Sequence, residues 1–311
     1  MKLEKLASRL DSLRKSQDVI INLLYSGRRI AEYLPVKPGQ SVLVLHDLHI
    51  GYADIGMLER LIESRRGQKK FDLAVVSEML DFTSFTPFLR ERGGNFGQEL
   101  ACGVEVLRLL LDCVANEVHI LPSNHEKRAE KRIRDQMDRL PADAVNSVAE
   151  AMNQYVKMKT GVKGVIQHDG FYLRLGQDVW ITHGDRYLLT PGAAGRDILK
   201  ALGSLGTTIG FSYDYTRLLV HAHEHRFNVG VAEGAQILVW TMPASCFVPF
   251  YAVGEPPSRY SRYPLTLGWG EIYFDERARV DLQMSRLVFC GFARLPKQEE
   301  KKEEKKKEKE K

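Results

Sequence analysis

The sequence predicts an α/β fold, and two observations lead to this prediction. Between Ser41 and about Asn124, short β-branched runs alternate with a helical pattern, an order typical of mixed sheets with crossover helices. After Lys159 the pattern changes to short strands separated by turns. With 311 residues the chain is long enough to bury a substantial core.

The apolar pattern of residues 1–35 predicts an N-terminal helix. Apolar residues recur at helical spacing from Leu3 to Leu24, so we expect a helix from about Leu3 to Tyr25 that breaks near Gly27. This helix could pack on its own domain, dimerise as a coiled coil or contact DNA. The interpretation favoured by so short a repeat is packing on its own domain, with a homodimer through the N-terminal helix as an alternative.

The next part, residues 41–295, predicts one α/β domain. Its first half contains the strands "SVLVLHD", "DLAVVSE" and "EVHILPSNHE", the helix "QELACGVEVLRLLLDCVAN" and a charged helical segment over 127–159 that Pro141 interrupts. Its second half contains the strands "FYLRLG", "VWITHGD", "YTRLLVHAHEH", "FNVGVAEG" and "AQILVWTMP", with a helix around Arg196 to Leu202. The tail over 296–311 has hardly any apolar residue and is predicted to be disordered.

The composition argues against a membrane-spanning or secreted protein. No stretch approaches the roughly 18 apolar residues of a membrane span, and the N-terminus has no apolar signal-peptide core. The four cysteines show no CxxC spacing, which favours reduced thiols and a cytoplasmic location. A formal net charge of +5 is compatible with a polyanionic substrate but does not identify one.

Polar side chains follow five consecutive apolar runs, where α/β sheets place their chemistry. The groups are His46, Asp47 and His49 after the first run; Ser77, Glu78 and Asp81 after the second; Asn124, His125 and Glu126 after the third; His183 and Asp185 after the fourth; and His221, His223 and His225 at the fifth. A single such group is usually structural, but five in order indicate a site. Imidazole, carboxylate and amide ligands without thiolate suit manganese, iron or zinc.

The ordered motifs "HDLHIG", "VVSEML", "PSNHEK", "THGD" and "AHEHR" resemble those of the calcineurin-like metallophosphoesterase family. The resemblance covers roughly Ser41 to Ala293, and the later strands are similar to the phage and archaeal, DNA-repair exonuclease-like branch. It implies a four-layer α/β/β/α sandwich of two mixed sheets. It also implies a hydrolase with two divalent metal ions, manganese first, with iron, zinc or nickel as alternatives, that cleaves a phosphoester by a metal-activated hydroxide.

The resemblance also implies residue roles. Asp47, His49 and His225 would hold the first metal, Glu78 would bridge both metals, and the second metal would be held by Asn124, His183 and His223. His125 would contact the phosphate and protonate the leaving oxygen. The expected supporting residues around these ligands are His46, Asp81 and His221, and Arg226 is a candidate phosphate contact.

The second motif departs from the family pattern, which has Gly-Asp where this chain has Ser77-Glu78. Glutamate keeps the charge but is longer by one methylene, and a serine limits the backbone if the turn needs an unusual φ. One alternative is that Asp81 reaches the metals instead. The smaller changes, Ser123 and Ala222 for glycine, are less disruptive.

The substrate remains open among phosphate esters. Arginine and tyrosine interleave in "RYSRY", residues 259–263, which suits stacking on bases and pairing with phosphates of a single strand, although a loop packed on its own core fits equally well. The leading hypothesis is therefore a phosphodiesterase acting on nucleic acid or a nucleotide. The alternatives are a small-molecule phosphomonoesterase and a catalytically weakened scaffold that docks DNA or a protein partner.

Overall fold

The computed structural model describes ten stretches of the chain: residues 31–50, 53–80, 96–123, 125, 161–168, 170–184, 193–209, 215–232, 236–246 and 265–293. Three predicted elements lie outside these residues, namely the helix from about Leu3 to Tyr25, the helical segment over 127–159 and the tail over 296–311.

The described residues form twelve strands and three helices. The strands are β1 (Ala31–Leu34), β2 (Ser41–Leu45), β3 (Leu73–Ser77), β4 (Val118–Leu121), β5 (Val165–Gln167), β6 (Tyr172–Leu175), β7 (Val179–Thr182), β8 (Leu218–His221), β9 (Asn228–Val231), β10 (Leu238–Thr241), β11 (Thr266–Tyr273) and β12 (Arg286–Phe292). The helices are α1 (Ile55–Arg65), α2 (Phe96–Cys113) and α3 (Ala193–Ile209).

The strands form two six-stranded mixed sheets. The first sheet has the order β1-β6-β7-β8-β10-β9, and the second has the order β12-β11-β2-β3-β4-β5. Strands β7, β8 and β10 run parallel in the first sheet, and β2 to β5 run parallel in the second. Parallel strands end at one edge of a sheet, so the polar residues that follow them are brought together.

The two sheets pack face to face through one apolar layer. Val42 and Val44 of β2 point into this layer, where they pack with residues of the first sheet such as Ile181 and Val220. Because side chains alternate along a strand, the intervening residue Leu43 points to the opposite face of the second sheet. Burial on both faces explains why these strands read as continuous apolar runs.

Helices cover the two outer faces. Met57 of α1 and Leu107 of α2 lie in the apolar cluster that contains Leu43 on the outer face of the second sheet. Leu199 of α3 packs with Trp180 on the outer face of the first sheet. The order helix, sheet, sheet, helix confirms the four-layer α/β sandwich that was expected.

Two boundaries differ in detail from the sequence prediction. Strand β1 lies inside the range 1–35 that was assigned to the N-terminal helix, and it pairs in parallel with β6 of the first sheet. Helix α3 is longer than the predicted span around Arg196 to Leu202. Among the described residues, no helix is long and apolar enough to cross a membrane.

Candidate metal centre

The candidate site lies where strands of both sheets end. Asp47 and His49 follow β2, and Glu78 follows β3, in the second sheet. His183 follows β7 and His223 follows β8, in the first sheet. The two loops of the second sheet are joined directly, because the backbone N–H of His49 donates to the carbonyl of Glu78 at 2.9 Å. The site is therefore built at the junction between the sheets.

The backbone at this junction is unusual. Among the described residues, six that are not glycine have a positive φ, and only Ala278 of these lies outside the predicted ligand set. The other five are Asp47, His49, Glu78, His223 and His225, with φ between 41° and 72°. This left-handed region is uncommon for residues other than glycine, although aspartate and histidine adopt it more often than most. Such conformations cluster at functional sites.

One group of side chains combines Asp47, His49, Glu78 and His225, and each contributes an atom that lies within 4.8 Å of the others. All four are buried. The His49 Nε2 atom lies 3.3 Å from Glu78 Oε2, and the His225 Nε2 atom lies 3.5 Å from Asp47 Oδ1. This group contains the predicted ligands of the first metal together with the predicted bridge.

A second group combines Glu78, His183 and His223 under the same distance limit. The His183 Nε2 atom lies 3.0 Å from Glu78 Oε2, and the rings of His183 and His223 meet edge to face with centroids 5.4 Å apart. Glu78 is the only residue that these two groups share, so its carboxylate stands between two clusters of imidazoles.

The spacing and the pairing of these atoms fit a divalent cation. Two ligands at about 2.1 Å from one ion lie roughly 3.0–3.5 Å apart, in the range of the separations between these histidine nitrogens and carboxylate oxygens. In the described part of the chain, Asp47 Oδ1 and Glu78 Oε1 are buried and accept no hydrogen bond. Buried carboxylate oxygens normally have such a partner, and a cation supplies an equivalent interaction.

Burial and mutual charges shift the pKa values of the acidic groups in opposite directions. Burial raises the pKa of Asp47 to about 7, and the neighbouring carboxylate of Glu78 adds to this. Burial also acts to raise the pKa of Glu78, but His183, His125 and His49 together hold it well below its usual range. Glu78 is therefore the carboxylate that stays charged among the histidines.

The pKa values of two proposed histidine ligands are also shifted in opposite directions. Burial lowers the pKa of His225 well below its usual range, and the nearby ring of His49 lowers it further. Burial would also lower the pKa of His183, but Glu78 and Asp47 raise it overall. Neutral imidazole is the form that binds a metal, so His225 is already prepared for coordination.

His125, the predicted proton donor, lies beside Glu78. Its Nε2 atom is 3.4 Å from Glu78 Oε1, and its side chain is 13% exposed whereas that of Glu78 is 1% exposed. His125 therefore lies at the border between the buried ligands and the solvent. Arg226, the candidate phosphate contact, is buried next to His225.

Two predicted supporting histidines have defined partners. His46 Nδ1 forms a hydrogen bond with Ser77 Oγ, and the same hydroxyl lies 3.1 Å from His183 Nδ1. His221 Nε2 lies 3.0 Å from Thr241 Oγ1, and burial lowers the pKa of His221 to about 4. Both rings are therefore fixed next to the ligands.

Ser77 does not occupy a turn with an unusual φ, contrary to the expectation from the sequence. Ser77 is the last residue of β3, and the positive φ of 50° falls on Glu78 instead. Aspartate and asparagine tolerate this conformation better than glutamate does. The backbone strain at the second motif therefore falls on Glu78 itself.

The structure brings together most of the predicted site. Six predicted ligands meet there: Asp47, His49, Glu78, His183, His223 and His225. Asn124 and Asp81 lie outside the described residues. Sequence reasoning missed Cys246, whose sulfur lies near His49 and His225, because a single cysteine without a spacing motif gives no signal.

No protein-family model matches the chain, and no curated protein matches it. Among solved structures, the chain is similar to a Vps29 mutant from Entamoeba histolytica, with 10% identity and a TM-score of 0.38 over 80% of this chain and 99% of that one. It is also similar to a protein serine/threonine phosphatase from Saccharomyces cerevisiae, with 13% identity and a TM-score of 0.42 over 95% and 97% of the two chains. These likenesses are distant, and no activity follows from them.

Proposed function

We propose that this protein is a dinuclear metal-dependent phosphoesterase that hydrolyses a phosphodiester in nucleic acid or in a nucleotide. The observation that carries the proposal is the position of Glu78, which belongs to both groups of ligand atoms. A carboxylate shared by two ligand sets can bridge two cations, which stand about 3.5–4 Å apart in two-metal sites. The ordered motifs, which resemble those of calcineurin-like metallophosphoesterases, support the same conclusion.

The proposed ligands follow from the two groups. Asp47, His49, Glu78 and His225 would hold one cation, and Glu78, His183 and His223 would hold the other. The resemblance adds Asn124 to the second set. Bound divalent cations would supply an activated water molecule as nucleophile and would neutralise the phosphoryl oxygens as charge develops.

His125 is the proposed proton donor to the leaving oxygen. With 13% of its side chain exposed, His125 is the predicted residue that a substrate can reach without displacing a ligand. A proton on Nε2 would be placed to pass to the leaving oxygen, and Glu78 Oε1 lies 3.4 Å from this nitrogen.

Preference for a diester rests on the sequence. The net charge of +5 is compatible with a polyanionic substrate, and the "RYSRY" segment at 259–263 combines guanidinium groups with aromatic rings, as single-strand binding surfaces do. That segment lies outside the described residues. Manganese is the metal to test first, because the carboxylate and amide oxygens among the proposed ligands suit it.

The test is hydrolysis of bis-p-nitrophenyl phosphate by the full chain with added Mn²⁺, with p-nitrophenyl phosphate assayed in parallel. Metal-dependent turnover of the diester that is lost in His125→Ala is the expected result. His119→Ala is the matched control, since His119 is a buried histidine of β4 whose Nδ1 bonds His168 rather than a ligand of the site.

The other outcomes are equally informative. Faster turnover of the monoester would identify a phosphomonoesterase. Metal binding without turnover of either compound would favour the weakened scaffold, and DNA binding that survives His125→Ala would support that assignment. Absence of both turnover and metal binding would overturn the proposal.

A further inference from the structure

Cys246 lies at the edge of the metal centre and has no role in the function proposed above. Its sulfur atom, one ring nitrogen of His49 and one ring nitrogen of His225 all lie within 4.8 Å of one another, and all three residues are buried. The same two histidines belong to the group that contains Asp47 and Glu78. The thiol therefore lies beside two of the proposed ligands of the first metal.

The backbone fixes Cys246 in this place. Cys246 forms an isolated antiparallel bridge with Ala53, and the N–H of the preceding Ser245 donates to the carbonyl of Asp47 at 3.2 Å. The carbonyl of Ser245 accepts a hydrogen bond from Asp54 N at 3.1 Å. The segment that carries the thiol is thus tied to the segment that carries Asp47 and His49.

A second observation points to a cation at this place. Asp47 Oδ1 is buried, accepts no hydrogen bond from the described residues, and lies 3.5 Å from His225 Nε2. The two histidines thus connect two groups of possible ligand atoms, one that includes the Cys246 thiol and one that includes the Asp47 carboxylate. Buried cysteines usually act as small apolar residues, whereas the sulfur of Cys246 lies within 4.8 Å of two histidine ring nitrogens.

We propose that Cys246 supplies a sulfur ligand to the cation held by His49 and His225, and that it makes this position selective for zinc, iron or cobalt over manganese. The inference rests on the proposed function, because it needs the metal centre to exist. A thiolate is a soft ligand that strengthens binding of zinc and iron, whereas manganese prefers oxygen ligands. The thiol gives its proton to the buffer when it binds the metal.

The experiment uses absorption spectra of the full chain reconstituted with Co²⁺. Wild type is expected to show a thiolate-to-cobalt charge-transfer band in the near ultraviolet, and this band should be lost in Cys246→Ser. Cys290→Ser is the matched control and should keep the band, since Cys290 lies on β12 and is only partly buried.

Metal content gives a second readout. After exposure of metal-free protein to equal concentrations of Zn²⁺ and Mn²⁺, the ratio of bound zinc to bound manganese should fall on the order of tenfold in Cys246→Ser. Cys246→Ala should give the same shift, so that a folding failure of one variant does not remove the test.

The possible results separate the inference from the proposed function. Cobalt binding without the charge-transfer band in wild type, or with a band that survives Cys246→Ser, would overturn the sulfur ligand and leave the metal centre intact. An unchanged ratio of zinc to manganese in both variants would overturn the selectivity. No cobalt binding in wild type would remove the metal centre itself, and the proposed function with it.

Discussion

Ser77 Oγ lies 3.1 Å from His183 Nδ1 and also bonds His46 Nδ1, so one hydroxyl joins a proposed ligand to a buried neighbour. If His183 binds a metal through Nε2, its Nδ1 carries the proton and donates to Ser77. The hydroxyl then donates to His46, which is neutral because burial holds its pKa well below the usual range. The serine at the second motif thus orients His183 towards Glu78.

Replacing this hydroxyl should therefore weaken metal binding. We expect Ser77→Ala to lower the affinity for the second metal by roughly 10–100-fold, the usual cost of losing a partner that orients a ligand. Calorimetric titration of the metal-free protein measures this. Ser64→Ala, which removes a hydroxyl bonded to the carbonyl of Leu61 on α1, should leave the affinity unchanged. Equal affinities of Ser77→Ala and wild type would show that Ser77 does not orient His183.

Shortening Glu78 should lower activity in this chain. Glu78→Asp withdraws the carboxylate by about 1.5 Å from His183 Nε2 and His125 Nε2, which now lie 3.0 and 3.4 Å from it. Aspartate accepts the positive φ at this position more easily, so the variant should fold. We expect fewer than two metals per chain and slower diester hydrolysis. Faster hydrolysis would mean that the surrounding histidines are placed for aspartate instead.

Metal affinity should rise with pH until Asp47 is ionised. Burial raises the pKa of Asp47 to about 7, above the ordinary value of 3.8, so in the metal-free protein it is protonated below about pH 7. A cation must displace that proton, so affinity should increase from pH 5 to 7 and then level off, and binding at pH 6 should release a proton. Titrations in buffers of different ionisation enthalpy detect the release, and Asp47→Asn should abolish the step at pH 7.

The raised pKa of Asp47 also predicts how the stability of the metal-free protein changes with pH. A carboxyl with a raised pKa favours folding when protonated, so its contribution is complete below pH 3.8 and is lost as pH rises to about 7. Metal-free wild type should therefore lose thermal stability across this window relative to Asp47→Asn. An identical pH dependence of melting in both proteins would contradict the assignment.

Asp178 directly precedes β7, at the end of the strand opposite the metal centre, and we expect it to stabilise the fold. Its side chain is fully buried, and its Oδ2 accepts hydrogen bonds from Arg279 Nε at 3.0 Å and from Val280 N at 2.9 Å. We expect Asp178→Ala to lower the free energy of unfolding by about 1.5–3 kcal/mol, the cost of losing hydrogen bonds to a charged group. Urea denaturation of the metal-free protein measures it.

The matched control is Glu63→Ala. Glu63 pairs with Arg66 on the surface, where the two side chains are 64% and 80% exposed. Exposed pairs contribute little, so the change should stay within about 0.5 kcal/mol. Similar losses in both variants would contradict the structural role given to Asp178.

Sequence reasoning predicted the ligands that follow strands because apolar runs mark strand ends directly. It could not predict the roles of Ser77 and Cys246, since these depend on contacts with residues far away in the chain. Ser77 meets His183, 106 positions later, and Cys246 meets His49 only after both sheets have packed. Strand β1 was missed because its four residues, AEYL, lack a β-branched pattern and are ordered by pairing with β6.

The division of the ligands between the sheets has a consequence for how the chain folds. Asp47 and Glu78 come from the second sheet, and His183 and His223 from the first. A cation bound at this junction links the two sheets, and its ligands come together only when the sheets are packed against each other. Tight metal binding is therefore expected only in the fully folded sandwich. Chelation should open the sandwich at this end first, and amide hydrogen exchange would locate that opening in the loops after β2, β3, β7 and β8.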